Sequence, residues 1–263
     1  MNNNKIMFFD IDGTLLSETT HSIPKSTIVA LKKAKEKGHL IFINTGRPFS
    51  LIDECIKKLN PDGYVCGCGT YIQYHDEVLF SYTLSSKRCN EIRDLIRETK
   101  IDGVLEGKDM IYFDKIIRHP LVKDIKKRYQ DTPSFKLSTF DDSKLSFDKF
   151  TIWFDKHSDI DTFKKNIATD FDYITRAKDF GEIVPKGHSK ATGIQFLLDY
   201  FNLNNDDAYV FGDSFNDETM LRYVKHSIVM KNGDPELFKY AYYVTKDIED
   251  DGIYHALKHL NLI

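Results

Sequence analysis

The sequence predicts an α/β fold, a parallel sheet flanked by helices and interrupted by an α+β insert. Three observations carry this. Short apolar runs alternate with helical periodicities near both ends of the chain. In the middle the period shortens to two, as in "DKFTIWFDK" from Asp148 to Lys156. Polar clusters recur just past the apolar runs, the edge at which open parallel sheets bind ligands. The 263 residues suffice for one large domain or for a domain plus an insert.

The elements follow in order. Lys5 to Asp10 reads as a strand buried on both faces. Ser26 to Lys37 reads as a helix, with Ile28, Leu31 and Ala34 at helical spacing and Gly38 as its stop. Leu40 to Asn44 is a second strand, and a helix is expected from Pro48 toward Leu59. Asp62 to Val65 is a third, short strand. From residue 82 to residue 184 an α+β insert is expected, with an antiparallel sheet covered on one face and more exposed on the other. Its helices are placed at Lys87–Thr99, Pro120–Tyr129 and Asp161–Ala168. Residues 1–81 and 185–263 then build one discontinuous core. The second part supplies a helix from Lys190 to Phe201, a strand at Ala208–Phe211, a helix near Asp217–Val224 and a strand at Ser227–Met230. A helix from Pro235, a strand at Tyr242–Thr245 and a helix from Gly252 complete it.

Composition narrows the function classes. Hydrophobic residues make up 41% and charged residues 29%, with a net charge of -3. That balance lacks the basic field of a nucleic-acid-binding protein. No apolar run approaches the roughly 18 residues of a membrane span. The polar start Met1-Asn2-Asn3-Asn4-Lys5 lacks the apolar core of a signal peptide. Four cysteines, with Cys66 and Cys68 not matched by a second Cys/His pair, read as free thiols in a reducing, cytoplasmic setting.

Four polar clusters carry chemistry. Asp10 and Asp12 flank Ile11 and precede Gly13-Thr14. A lone pair of acids at this spacing fits a solvated turn as well as a site. After so apolar a strand, two neighbouring carboxylates call for a compensating hard cation such as Mg2+. Thr45-Gly46-Arg47 offers a hydroxyl and backbone N–H groups to an anion, or simply an N-cap. Lys190 stands at a helix start, where the macrodipole disfavours a cation unless it neutralises an anion. A solvated lysine after an ordinary Ser189 cap remains the alternative, and Lys186 is its competitor. The fourth cluster, "GDSFND", brings Asp213, Asn216 and Asp217 to the same sheet edge, or is a turn followed by a cap. Together these are the parts for holding Mg2+ and a phosphoryl group.

In this order the motifs D-x-D-G-T, T-G-R, Lys and G-D-x-x-N-D resemble the haloacid dehalogenase (HAD) superfamily. The size and position of the insert are similar to its type IIB, Cof-like, phosphatases with a C2B-type cap on a Rossmann-like core. The tail "DIEDDGIYHAL" and the segment "VMKNGDPELFKYAYYVT" resemble the family's as well. The resemblance implies an Mg2+-dependent phosphatase acting on small phosphate monoesters, sugar phosphates first. Asp10 would be the nucleophile and Asp12 the acid and base. Mg2+ would be held by Asp10, the Asp12 carbonyl and Asp213, with Asp217 in support. Thr45, Gly46, Lys190 and Asn216 would hold the phosphoryl oxygens. In the insert, Arg176, Lys178 and Glu182 are candidates for substrate specificity. A phosphosugar mutase, or a phosphatase of flavin, pyridoxal or nucleotide monophosphates, is the alternative. A signalling receiver is disfavoured by the D-x-D spacing and the insert, a catalytically dead binding module by the complete motif set. Two departures stand out. Cys68 occupies a position where the family commonly has Asn, and Lys231 one where it commonly has Gly. Trp153 reads as packing, and Arg118-His119 as the approach to the Pro120 helix. The oligomeric state cannot be read from the sequence.

Overall fold

The computed structural model describes residues 4–263; the polar start at Met1–Asn3 lies outside them. The chain opens with β1 (Ile6–Phe9), α1 (Lys25–Glu36), β2 (Leu40–Asn44), α2 (Glu54–Lys57), β3 (Gly63–Cys66), β4 (Tyr71–Tyr74) and β5 (Glu77–Ser81). It continues with α3 (Ser86–Glu98), β6 (Asp102–Glu106), β7 (Ile111–Phe113), α4 (Pro120–Gln130), β8 (Leu137–Thr139), β9 (Lys149–Trp153), α5 (Ile160–Ile167), β10 (Phe171–Ala177) and β11 (Phe180–Pro185). It closes with α6 (Lys190–Phe201), β12 (Ala208–Gly212), α7 (Glu218–Tyr223), β13 (His226–Val229), β14 (Tyr243–Val244) and α8 (Gly252–His259). Among the described residues no helix is long and apolar enough to cross a membrane.

Two compact units result. The first contains the chain up to Gly46, Asp53–Leu79 and Ser189–Ile263. The second contains Arg47–Ile52 and Phe80–His188. The short piece Arg47–Ile52 was not expected in the second unit. It belongs there because Leu51 packs with Val104, Ile111, Phe113, Val122 and Trp153, and Ser50 Oγ donates to the Gly107 carbonyl at 2.6 Å.

The first unit is built on an eight-stranded sheet in the order β14-β13-β12-β1-β2-β3-β4-β5. Its centre, β1, runs parallel to β12 and β2. Ile6, Met7, Phe8 and Phe9 are fully buried, as an apolar run covered on both faces should be. Phe9 is in register with both Phe211 and Ile43. The residues that follow these three partners therefore leave the sheet at one edge. β4 turns back antiparallel on β3, a hairpin that the short Gly-rich link after Cys66 disguised.

The second unit has a six-stranded sheet in the order β10-β11-β9-β6-β7-β8, antiparallel except for the β7–β8 pair. Here one expectation is overturned. β9 is buried along its whole length, so its alternation does not mark an exposed face. Phe150 and Ile152 pack into one cluster with Ile92, Ile96 and Phe163. Trp153 and Val104 pack with Val122 of α4 on the other. A stack on Phe180 at 4.6 Å makes Trp153 a packing residue.

Three helix readings change as well. The helix expected from Pro48 to Leu59 is a single 3-10 turn at Phe49–Leu51 followed by the one-turn α2. Ile52 and Asp53 are extended and break it. In α1 the buried residues are Thr27, Ala30, Leu31 and Ala34, while Ile28 points outward at 46% exposure. The segment from Pro235 is a 3-10 helix to Tyr240.

Candidate active site

Asp10 follows β1 and is 2% exposed. Its backbone N–H donates to the Phe211 carbonyl at 3.0 Å, so the strand pairing holds it where the sheet ends. The turn after it is tight. Leu15 N and Leu16 N both donate to the Ile11 carbonyl, and Gly13 N donates back to Leu16 at 3.0 Å. Gly13 has φ +75, and a Cβ there would overlap the Asp213 carboxylate. Only glycine permits this approach of the two acidic loops. Asp12 is partly exposed on the same turn.

Lys190 is the first residue of α6. Ser189 caps that helix through a reciprocal pair with Thr192: the Ser189 Oγ accepts from Thr192 N at 3.2 Å, and the Thr192 hydroxyl accepts from Ser189 N at 2.9 Å. The Lys190 ammonium is wholly buried. It donates to Asp10 Oδ1 at 2.7 Å and to Asp217 Oδ1 at 2.6 Å. Asp217 Oδ2 accepts from the backbone N–H of Asp213 at 2.9 Å and of Ser214 at 3.1 Å. Asp213 Oδ1 accepts from the Thr14 hydroxyl at 2.7 Å. Sequence-distant segments are thus tied into one polar cluster in the first unit.

The charges do not balance. Asp10, Asp213 and Asp217 offer oxygens that all lie within 4.8 Å of one another, and Lys190 supplies one compensating charge. Burial, followed by the charge on Asp217, pushes the Asp10 carboxyl up to about 7. Burial and the charges on Asp10 and Asp217 push Asp213 up to about 8. Burial works against the Lys190 ammonium, but Asp10 and Asp217 outweigh it and keep it protonated well beyond the usual lysine range. Clustered carboxylates with surplus negative charge are a hard-oxygen donor set and fit a small divalent cation.

Thr45 is buried at the end of β2. Its N–H donates to Val65 at 2.9 Å, and its carbonyl accepts from Cys68 N at 3.2 Å. Gly46 and Arg47 are partly buried, and no long helix starts there, which removes the helix-dipole argument for this cluster. Asn216 is partly buried and accepts from the Ser214 hydroxyl at 2.8 Å. Cys68 is buried with φ 57, a strained conformation for cysteine. Lys231 is exposed, with its ammonium 5.3 Å from the Phe238 ring.

One positioning residue escaped the sequence reading. Asn232 Nδ2 donates to the Gly13 carbonyl at 2.8 Å, and its Oδ1 accepts from Ile248 N at 2.9 Å. It straps the Asp12–Gly13 turn to the C-terminal segment.

The three insert candidates separate. Arg176 and Glu182 form an ion pair across β10 and β11, and Glu182 also accepts from Lys149 at 2.9 Å. Lys149 in turn bonds Glu106 at 2.7 Å, and the Thr151 hydroxyl donates to Glu106 at 3.0 Å. Burial pushes the Glu182 carboxyl up, but Lys149 and Arg176 prevail and hold it at about 2. Lys178 lies apart from this group, exposed in the β10–β11 turn.

Comparison with known proteins gives the family and the fold. Residues 7–257 match the family described as haloacid dehalogenase-like hydrolase. A Bacillus subtilis (strain 168) protein named "Putative phosphatase YkrA" is 29% identical over 99% of this chain and 99% of its own. The solved structure of the HAD subclass IIB sugar phosphatase BT4131 superposes with a TM-score of 0.83 at 28% identity, covering 99% of this chain and 100% of that one. BT1666 from Bacteroides thetaiotaomicron, described among phosphatases of the same superfamily, gives 0.83 at 26% identity over 100% and 97%.

Proposed function

This chain belongs to the haloacid dehalogenase-like hydrolase family as a phosphatase, and we propose that it hydrolyses small phosphate monoesters, sugar phosphates first, through a phosphorylated Asp10. The observation that carries the reading is the buried Lys190 ammonium shared by Asp10 and Asp217, with Asp213 beside them.

In this reading an Asp10 carboxylate oxygen attacks phosphorus, the phosphorus–alkoxide bond breaks, and Asp12 protonates the leaving oxygen. Asp12 then takes a proton from water. The water oxygen attacks phosphorus, and the bond to Asp10 breaks to release phosphate. Asp10, the Asp12 carbonyl and Asp213 would hold Mg2+, with Asp217 orienting the loop. When bound, the ion neutralises the carboxylates and the developing phosphoryl charge. Thr45, Gly46, Lys190 and Asn216 hold the phosphoryl oxygens. The insert, residues 82–184, is the part of the chain left to read the leaving group. Arg176 and Glu182 are the insert's candidates for that reading, and Lys178 is a weaker one because it stands apart from their cluster.

A chromogenic aryl phosphate with Mg2+ tests the reading. Turnover should stop with EDTA and return with added Mg2+. Turnover that persists in EDTA, or none with any phosphate ester, would contradict it.

A further inference from the structure

Asn44, the last residue of β2, is completely buried. Its Nδ2 donates to the Lys190 carbonyl at 3.1 Å and meets Met220 Sδ at 3.5 Å. Its Oδ1 is buried with no hydrogen-bond partner among the described residues. A buried acceptor left unpaired is destabilising, so an apolar side chain of this shape would suit the surroundings better. The amide has no reason to be there as packing.

Its contacts explain its presence. Asn44 reaches α6 at the residue that carries the site's ammonium. Through Met220 it also reaches α7, which follows directly on Asp217. The next residue in the chain is Thr45. The start of α6 is also approached closely by Gly69, where a Cβ (φ +88) would sit 2.5 Å from the Ser189 carbonyl. The loop after β3 and the end of β2 thus both touch the first residues of α6, at Ser189 and at Lys190.

We propose that Asn44 is a positioning residue for the hydrolytic reaction. By holding the Lys190 carbonyl it fixes the ammonium between Asp10 and Asp217, and so sets the direction from which Asp10 meets phosphorus. This rests on the phosphatase reading above. The unpaired Oδ1 is the stability given up to keep the Nδ2 donor.

The test is the near-isosteric Asn44→Leu, with Asn44→Ala as the variant without added bulk and Met220→Leu as the control that keeps the amide. Aryl phosphate turnover with Mg2+ and thermal melting are measured on each. The expected result is a loss of kcat of about tenfold, the scale of one hydrogen bond. KM should not move in either Asn44 variant, the Asn44→Leu melting temperature should be unchanged or raised, and Met220→Leu should keep full kcat. Independently of turnover, the Lys190 ammonium should give a slowly exchanging 15N resonance in the wild type that broadens in Asn44→Leu. An unchanged kcat and resonance, or a kcat that falls only in step with melting temperature in both Asn44 variants, would overturn the proposal. A wild type that hydrolyses no ester would instead overturn the phosphatase reading, and the ammonium resonance would still report on Asn44.

Discussion

At the scale of the residue, Lys190 accounts for the acids around it. A cation at a helix start runs against the macrodipole, and a fully buried one runs against solvation. Both penalties are offset by the two carboxylates at 2.7 and 2.6 Å. Lys190→Met should therefore do two things at once. It should abolish turnover, and it should lower stability by about 3–5 kcal/mol in urea unfolding without added metal, because two buried carboxylates lose their partner. A variant that unfolds like the wild type would show that the pair carries no such burden. Gly13→Ala should be milder on both counts. Its Cβ would displace the Asp213 carboxylate, and misplacement on this scale costs about a hundredfold in kcat. The clustering of Asp10, Asp213 and Lys190 was legible because each breaks a local rule: acids after a greasy strand, a cation at a helix start. Asn232 and Asn44 were not, because an Asn before Gly or at a strand end satisfies ordinary turn preferences. Only the three-dimensional partner shows what their amides hold.

At the scale of the element, α6 and β12 were placed closely because capping and apolar runs are local signals. The break in the expected Pro48 helix and the second buried face of β9 were not local. The first depends on extended backbone at Ile52 and Asp53, the second on α4 arriving from elsewhere in the sequence. Charged residues on β9, β10 and β11 form their own cluster, and it has a pH signature. Glu182 sits at about 2 in the folded chain against an ordinary 4.5. A depressed carboxyl stabilises fully above its unfolded value, and that contribution is lost as pH falls from about 4.5 to 2. Urea unfolding should show Glu182→Gln less stable than wild type near neutrality by about 3 kcal/mol, with the gap closing on acidification. A gap that is constant with pH would mean the ion pair with Arg176 and Lys149 contributes nothing electrostatic.

At the scale of the whole molecule, the chain is a phosphatase assembled from an eight-stranded parallel-centred sheet and a long α+β insert. Its family match spans residues 7–257. Mg2+ should stabilise it, because three clustered carboxylates are less repulsive around a divalent cation. A concentration one hundredfold above Kd adds about 2.7 kcal/mol, which a melting curve reads as several degrees. Since Asp10 and Asp213 sit at about 7 and 8 without metal, the gain should be larger at high pH than at low. Asp213→Asn should remove most of it; a gain that survives that change would place the ion elsewhere. The central claim concerns Asp10. Acid quenching of a single turnover with a 32P-labelled aryl phosphate, whose leaving group needs little protonation, in an Asp12→Asn background that slows resolution, should leave label on the peptide containing Asp10. Label on another residue, or turnover with no label on the protein, would contradict the account.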